Sequence, residues 1–534
     1  MQAVTAALSE TARIWLRRLL TQGCRDPHSP LWGSFDRDWW HYRIRDFPSI
    51  ILQQGGYAVY LASQWGENAK QREAMLRLAA AAARFWNSRA VRPRAFEEYY
   101  PWEQGYPPLA FSTLAVMKLV AAGVIEANEV EAGASVAARQ LQSRFESQAA
   151  NQQIAGLAAL AYCRKCFPSM VSESAVRGLA ERALELQAEE GWFEEYGGPD
   201  LGYLSVTIDC LWDLVDATGD ERYKASIETA VKCIRQFADV VQRGSIGMHN
   251  SRNTDYLVPY GLVRLALESS RDADVELVER LFGGAREPRH FLHAVDDRYV
   301  SHYIGQSLFR AVLLLEQVPD GWPVRKGEDA EEYLQEKTTH SGHYLRRVGN
   351  DQRSLVTLKK GGIFSHYLGE QAVHDFGWVV ETAARQYITH WWSADWKYEW
   401  NEKGLVVEGA LYEHREISNN PYKHMALRVA SGLLGARLIG ALKKRLIFTK
   451  KQSMIGYRRS IEWIGDEVRV VDTFSSAPDG ARYFPAPRSS KRHVASADSY
   501  HGEDFELQDG FVALRQFHRT AQGMEIVTIY SKRQ

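Results

Sequence analysis

With 534 residues, the chain is long enough for two or three domains. Its 45% hydrophobic and 25% charged content is ordinary for a soluble protein, and 65 basic against 66 acidic residues leave a net charge of −1. No global field recruits nucleic acid or an anionic membrane, so an acidic ligand has to be met by a local site.

The first segment, MQAVTAALSETARIWLRRLL, lacks the apolar run of a signal peptide, because Arg13, Arg17 and Arg18 interrupt it at helical spacing. No stretch has the ~18 uncharged apolar residues of a membrane span, so no membrane insertion is expected. Five cysteines show no zinc or disulfide pattern, and Cys163 and Cys166 read as two thiols one helical turn apart. These features give a cytoplasmic expectation.

Residues 1–335 read as helices. Apolar positions recur at three and four in MLRLAAAAARFW (75–86), LAFSTLAVMKLVAAGVI (109–125), VRGLAERALELQ (176–187) and ASIETAVKCIRQFADVV (225–241). Loops rich in Gly, Pro and aromatics separate them: 32–49, 97–108, 189–202 and 244–261. They fall about two helices apart, the pattern of stacked helical hairpins. Such hairpins close into an α/α toroid, an incomplete helical-hairpin barrel, with loops at one end facing a cleft. A plain helical scaffold is the alternative, but scaffold loops seldom concentrate Tyr, Trp, Asn and Glu.

Near residue 340 the period changes to two. Segments 354–368, 404–417, 445–452, 458–474, 511–519 and 524–532 read as strands, with Gly465-Asp466 as a hairpin turn. Residues 340–534 are therefore expected to form an antiparallel β-sandwich domain, and the fold class is α+β multidomain. The polar segment 319–341 carries the boundary. Segment 424–448 reads as a helix laid on the sheet or two strands with a bend; Leu and Ala at three and four favour the helix.

Two stretches carry chemistry. In ESQAANQQIAGLAALAY (146–162), Asn151, Gln152 and Gln153 open an apolar helix. Asn151 reads locally as an N-cap, and functionally as an amide facing a substrate carboxylate. The stretch EEGWFEEYGGPDLGYL (189–204) crowds Trp192, Glu195, Tyr196 and Tyr203 on a Gly-rich loop before the next helix. Tyr203 alone reads as core. Paired with Asn151 it suits β-elimination from a uronic acid, which needs a neutralised carboxylate, a base for the C5 proton and an acid for the departing oxygen.

At this point the chain resembles the heparinase II/III-like polysaccharide lyases, an α/α toroid followed by antiparallel β sheets. ANQQIAGLAALA is similar to the family's Asn at the start of a Leu/Ala-rich helix, and EEGWFEEYGGPDLGYL to its loop entering the tyrosine helix. GGIFSHYLGEQAVHDFGW (361–378) and the 458–474 hairpin look like its C-terminal part. The resemblance implies Tyr203 as the catalytic tyrosine. Many members have His after the Asn; here Gln152 stands, which donates but cannot titrate. A titrating histidine then has to come from elsewhere, and His249, His302, His366 and His374 are the candidates.

GMHNSRNTDYLVPYG (247–261) gathers His249, Arg252, Asn253 and Tyr256 on one loop; Arg252 suits a carboxylate, and Asn253 or Asp255 a helix cap. Trp40 and His41, and Tyr100 beside Glu97, Glu98, Tyr99 and Glu103, read either as further cleft wall or as packed aromatic clusters. His366 and His374 with Asp375 lack further ligands, so no metal is expected, and no cofactor is required. The expected activity is a carbon–oxygen lyase on a uronic-acid-containing poly- or oligosaccharide. A glycoside hydrolase using carboxylates among Glu194, Glu195, Asp200 and Glu103, an epimerase, or a non-catalytic carbohydrate-binding or scaffold protein are the alternatives. The sequence sets no oligomeric state.

Overall fold

A computed structural model describes every residue except 66–67, 239–245, 288–289, 294, 320–321, 325–335, 350, 370, 415–419, 444–450, 488–507, 510, 522 and 534. Much of the 319–341 boundary and of the strand expected at 445–452 thus lies outside the described residues. Backbone contacts divide the chain into two compact units. A helical unit comprises 1–235, 256–328 and 419–444, and a β unit comprises 236–255, 329–418 and 445–534.

In the helical unit, the helices in chain order are α1 (Gln2–Gln22), α2 (Arg37–Trp40), α3 (Gly55–Ser63), α4 (Ala69–Ala90), α5 (Tyr106–Ala121), α6 (Glu131–Ser143) and α7 (Ala150–Cys166). They continue with α8 (Glu173–Leu184), α9 (Leu201–Thr218), α10 (Arg222–Ala238), α11 (Tyr260–Ser269), α12 (Asp272–Phe282), α13 (Asp297–Val300) and α14 (Tyr303–Leu315). Each of α3, α5, α7, α9, α11 and α14 packs on the next, and α14 packs back on α3, so these six make an inner ring. Helices α4, α6, α8, α12 and α1 pack against them from outside.

Local chemistry sets the ends. Asn68 caps α4, Ser172 caps α8, and Asp200 caps α9 by accepting from the Tyr203 N–H at 3.0 Å. Helix α9 stops at Gly219, whose φ of 72° admits the left-handed C′ conformation. The inner helices are apolar nearly all round, as rods buried on every side must be. Large aromatics fill the spaces between helices: Trp86 and Trp212 are buried with indole N–H groups on Ser112 Oγ (2.8 Å) and the Gly261 carbonyl (3.1 Å). Inside the ring, Lys118 Nζ lies 2.9 and 3.0 Å from the two Asp213 oxygens, and Arg310 lies 2.8 Å from the first of them.

The β unit contains β1 (Glu336–Thr338), β2 (His343–Val348), β3 (Gln352–Thr357), β4 (Ile363–Leu368), β5 (Gln371–Asp375), β6 (Trp378–Glu381), β7 (Gln386–Ile388) and β8 (Lys397–Asn401). Then come β9 (Gly404–His414), β10 (Gln452–Ile464), β11 (Glu467–Ser475), β12 (Arg482–Pro485), β13 (Gln508–Asp509), β14 (Phe511–Thr520) and β15 (Gly523–Lys532). One antiparallel sheet has the order β1-β2-β3-β4-β5-β13; the other runs β12-β6-β7-β9-β10-β11-β15-β14, with β8 also on β9. The expected hairpin is present: Gly465 (φ 58°) turns β10 into β11, pairing Arg459 with Asp472. Side chains of both sheets, among them Val356, Phe364, Trp378, Val407, Ile461 and Ile526, share one apolar core.

Segment 424–448 is helical as far as it is described, forming α15 (Pro421–Leu434) and α16 (Ala436–Lys443) around Gly435. Its place differs from a helix laid on the sheet. Arg428 pairs with Asp46, Ser431 Oγ donates to the Pro101 carbonyl at 2.8 Å, and Lys443 pairs with Glu146 at 2.6 Å, all in the helical unit. Polar side chains at 428, 431 and 443 reward that docking; periodicity alone says only that a helix has an apolar face, not which surface covers it.

Candidate active site

The loops that enter the inner helices are laced to one another. The Ile50 N–H donates to the Glu97 carbonyl (2.9 Å), Arg45 to the Glu98 carbonyl (2.7 Å), and Arg144 to the Gln104 carbonyl (3.0 Å). The Ala150 N–H donates to the Glu194 carbonyl (3.0 Å), and the Val258 N–H to Ser205 Oγ (2.9 Å). The N-termini of the ring therefore share one loop face, where free N–H groups and helix dipoles favour negative charge. Seven non-glycine residues in left-handed conformation lie on these loops: Arg43, Arg94, Phe96, Trp102, Gln104, Tyr196 and Asn253. Such conformations persist only where surrounding structure imposes them.

Asn151 is not the cap of α7. Ala149 holds that position without a side-chain bond, and the capping group arrives from the neighbouring loop. Glu195 Oε1 accepts from both the Asn151 N–H (2.8 Å) and its amide Nδ2 (2.6 Å), with both residues buried. An amide nitrogen carries two hydrogens, and Glu195 takes one, so the carboxylate orients the amide. The same loop keeps Tyr196 left-handed (φ 56°) through its N–H bond to the Gln148 carbonyl (2.7 Å). Gln152 Nε2 lies 3.5 Å from the Tyr196 hydroxyl, and Lys443 Nζ sits 5.2 Å from the Tyr196 ring centre. Three residues after its Asp200 cap, Tyr203 occupies the first turn of α9, packed beside α7. Asn151, Gln152, Glu195, Tyr196 and Tyr203 are thus gathered at two adjacent helix N-termini.

Around Tyr203 stand other phenols. Tyr99, Tyr256 and Tyr303 interact with it electrostatically, and the Tyr256 and Tyr303 hydroxyls are 3.0 Å apart. Burial pushes the Tyr256 and Tyr303 phenols well above their ordinary range. His302 is buried against Tyr299 (ring centres 4.8 Å apart); burial, then the charge of Arg298, lower its imidazole to about 3, so it is neutral at pH 7.

Tyr100 lies near Glu103, and burial raises its phenol. Trp40 donates its indole N–H to the Gln22 carbonyl (2.7 Å) and packs on the exposed His41, 5.0 Å between ring centres. Trp192 bonds Glu190 (3.4 Å) in a turn whose Gly191 packs on the α10 backbone at Thr229. The carboxylates that a hydrolase would require are engaged with the backbone. Glu195 and Asp200 hold helix starts, Glu103 accepts from the Glu98 and Tyr99 N–H groups (2.8 Å each), and Glu194 accepts from the Gly197 N–H.

Glu98 is buried, and burial followed by the neighbouring Glu103 pushes its carboxyl from 4.5 up to about 8, against the pull of Arg298 and Arg45. The folded protein therefore keeps a proton that the unfolded chain releases above pH 4.5. Stability contributed by this group is full below 4.5 and is lost as pH rises towards 8. Glu98→Gln is expected to flatten that decline, which can reach about 1.4 kcal/mol per pH unit. Urea midpoints of both proteins across this window measure it; parallel curves would show that Glu98 ionises normally.

The remaining candidates belong to the β unit. His249 is buried between Thr357 Oγ1 and Ser365 Oγ, 2.7 Å from each ring nitrogen, and Ser365 Oγ is 2.8 Å from His374 Nδ1. A hydrogen-bonded chain His249–Ser365–His374 results, with His374 half-buried and stacked on Phe376. Lys360 Nζ bonds the Met248 and Asn250 carbonyls (2.6 Å each) and Asn253 Oδ1. Arg252 and Asn253 are buried on this loop, and neither Asn253 nor Asp255 caps α11, whose N-cap is Pro259. His366 bonds Ser354 Oγ at 2.8 Å, and burial lowers its imidazole to about 4. Ser365, Thr357 and Lys360 were not singled out from sequence; a short polar side chain in a strand gives no local sign of the imidazole it will meet.

Among solved structures the chain is similar to the chondroitin AC lyase of Streptomyces coelicolor A3, determined in complex with chondroitin sulphate. The TM-score is 0.50 at 10% identity, over 98% of this chain and 76% of that one. The fold is that of the polysaccharide lyases. A heparan sulfate lyase, HepC, of Pedobacter heparinus aligns over 99% of this chain and 80% of that one, with a TM-score of 0.35 at 10% identity. No family model and no curated protein matches. Within this polysaccharide lyase fold, a helical unit and an antiparallel β unit appear as expected. No helix among the described residues is long and apolar enough to cross a membrane.

Proposed function

We propose that the protein cleaves a uronic-acid-containing poly- or oligosaccharide by β-elimination. The observation that carries this reading is the loop 194–203, which orients the Asn151 amide through Glu195 at one end and delivers Tyr203 at the other. Asn151, with Gln152 beside it, donates to the substrate carboxylate and so acidifies the C5 hydrogen. Tyr203 transfers a proton, either from C5 or to the departing glycosidic oxygen. The C5–H electron pair becomes the C4–C5 double bond as the C4–O bond breaks, so the products are an unsaturated uronate and a free hydroxyl. His249 or His374 is proposed for the other proton transfer, and Arg252, Asn253 and Tyr256 for substrate contacts. Six inner-helix N-termini on one loop face favour an acidic substrate, and the chondroitin sulphate bound by the structural neighbour is one of that class.

The test is a panel of uronate polymers monitored for the ultraviolet absorbance of an unsaturated uronate. Growth of that absorbance with at least one polymer is the expected result. New reducing ends without it would mean hydrolysis, and C5 inversion without cleavage would mean epimerisation.

A further inference from the structure

The segment DDRYVSHY (296–303), which enters α14, holds three polar groups that find no hydrogen-bond partner among the described residues: Arg298 Nε, Ser301 Oγ and His302 Nε2. His302 is 2% exposed and Ser301 fully buried. Buried polar atoms left unpaired cost free energy, so three within five residues point to an occupant. The guanidinium of Arg298 has five N–H donors, and its one side-chain hydrogen bond among the described residues is a long one, 3.4 Å to Ser49 Oγ.

The acidic neighbours do not satisfy it. Asp36 accepts from the Ser49 N–H (2.6 Å) and the Trp39 N–H (3.3 Å) and lies 3.4 Å from Arg45. Glu98 acts on it electrostatically, but no hydrogen bond joins the two among the described residues. Arg298 therefore retains positive charge beside Tyr99, whose side chain is half-exposed and interacts with both Arg298 and Tyr203. Arg298 is half-buried, positive and short of acceptors, with the buried Ser301 and His302 behind it in the chain.

We propose that Arg298, with His302 next to it, is an anion subsite on the loop face that takes the carboxylate or a sulfate ester of a sugar adjoining the one at Tyr203. The subsite rests on the lyase reading for its substrate but makes no proton transfer. Arg298 offers a paired-donor geometry that matches either oxyanion, and neutral His302 supplies one further donor or acceptor.

Calorimetric binding of two probes tests this: an unsulfated chondroitin tetrasaccharide and a chondroitin sulfate tetrasaccharide, each with the wild type, Arg298→Met and Arg298→Lys. Arg298→Met is expected to weaken binding about tenfold or more, the effect of losing a charge-assisted pair, and Arg298→Lys to restore part of it. Loss confined to the sulfated probe assigns a sulfate ester; equal loss for both assigns the carboxylate. In turnover, KM rises by a similar factor while kcat changes little. Unchanged binding by Arg298→Met whose thermal midpoint matches the wild type overturns the subsite, as does failure of the wild type to bind either probe. Binding through Arg298 with no unsaturated product from any polymer of the panel keeps the subsite and ends the lyase reading; product formation with an unaltered KM in Arg298→Met does the reverse.

Discussion

Arg459→Met is expected to remove about 3–5 kcal/mol from the β unit, enough to unfold much of it. Arg459 is wholly buried. Its Nε and one terminal nitrogen bond the two Asp472 oxygens at 2.7 and 3.0 Å, and the other terminal nitrogen bonds Asp375 Oδ1 at 3.0 Å. Asp375 lies on β5 of one sheet, and Arg459 and Asp472 on β10 and β11 of the other, so the guanidinium joins the two layers. Burial pushes the Asp375 carboxyl up, but Arg459, the Tyr530 hydroxyl and the Gly377 N–H together hold it below its ordinary value. Its contribution is therefore present above pH 3.8 and lost on acidification.

Methionine fills most of the volume but leaves two buried carboxylates with no cation. Tyr457, Trp378 and Tyr530 still donate to them, at 2.7, 2.6 and 2.7 Å, which softens the loss without replacing the charge. Urea unfolding followed by tryptophan fluorescence gives the change. Adding Asp375→Asn and Asp472→Asn to Arg459→Met should recover part of the stability, because neutral amides cost less to bury than carboxylates. A single variant as stable as the wild type would show that the network contributes nothing net.

Legibility followed the range of the interaction. Helices α4, α5, α8 and α10 and the β10–β11 hairpin are written in local period and turn chemistry, and those signals survive folding because each element buries the face that its pattern marks. The loop with Tyr196 is legible as an irregular segment, from its glycines and from the Asp200 cap that starts α9. The partner of Asn151 was not. Glu195 lies 44 residues away, and nothing local distinguishes a carboxylate that will cap another helix from one that will face solvent. The same blindness hid Arg298, whose significance lies in acceptors it fails to meet. Segments 236–255 and 419–444 each join the unit that their neighbours in sequence do not, and composition has no means of announcing an exchange of that kind.

Tyr203→Phe should lower turnover by ~10³-fold or more with KM within a fewfold, if the phenol moves a proton in the rate-limiting step. The ring can keep its place on the first turn of α9, since the cap there is made by the Tyr203 backbone N–H and the Asp200 carboxylate, neither of which is altered. Folding should therefore be spared, and a normal thermal midpoint is the control. Asn151→Ala makes a different demand. It removes the amide that Glu195 orients but leaves the backbone N–H of residue 151 on the same carboxylate. Turnover should again collapse, by about 10²–10³-fold on the scale of a lost oxyanion donor. The double variant is informative because residues that act as one unit are not additive. If amide and phenol serve the same step, the double loss approaches that of Tyr203→Phe alone. A product of the two single losses would mean that they act independently, and full activity in Tyr203→Phe would remove the phenol from the chemistry.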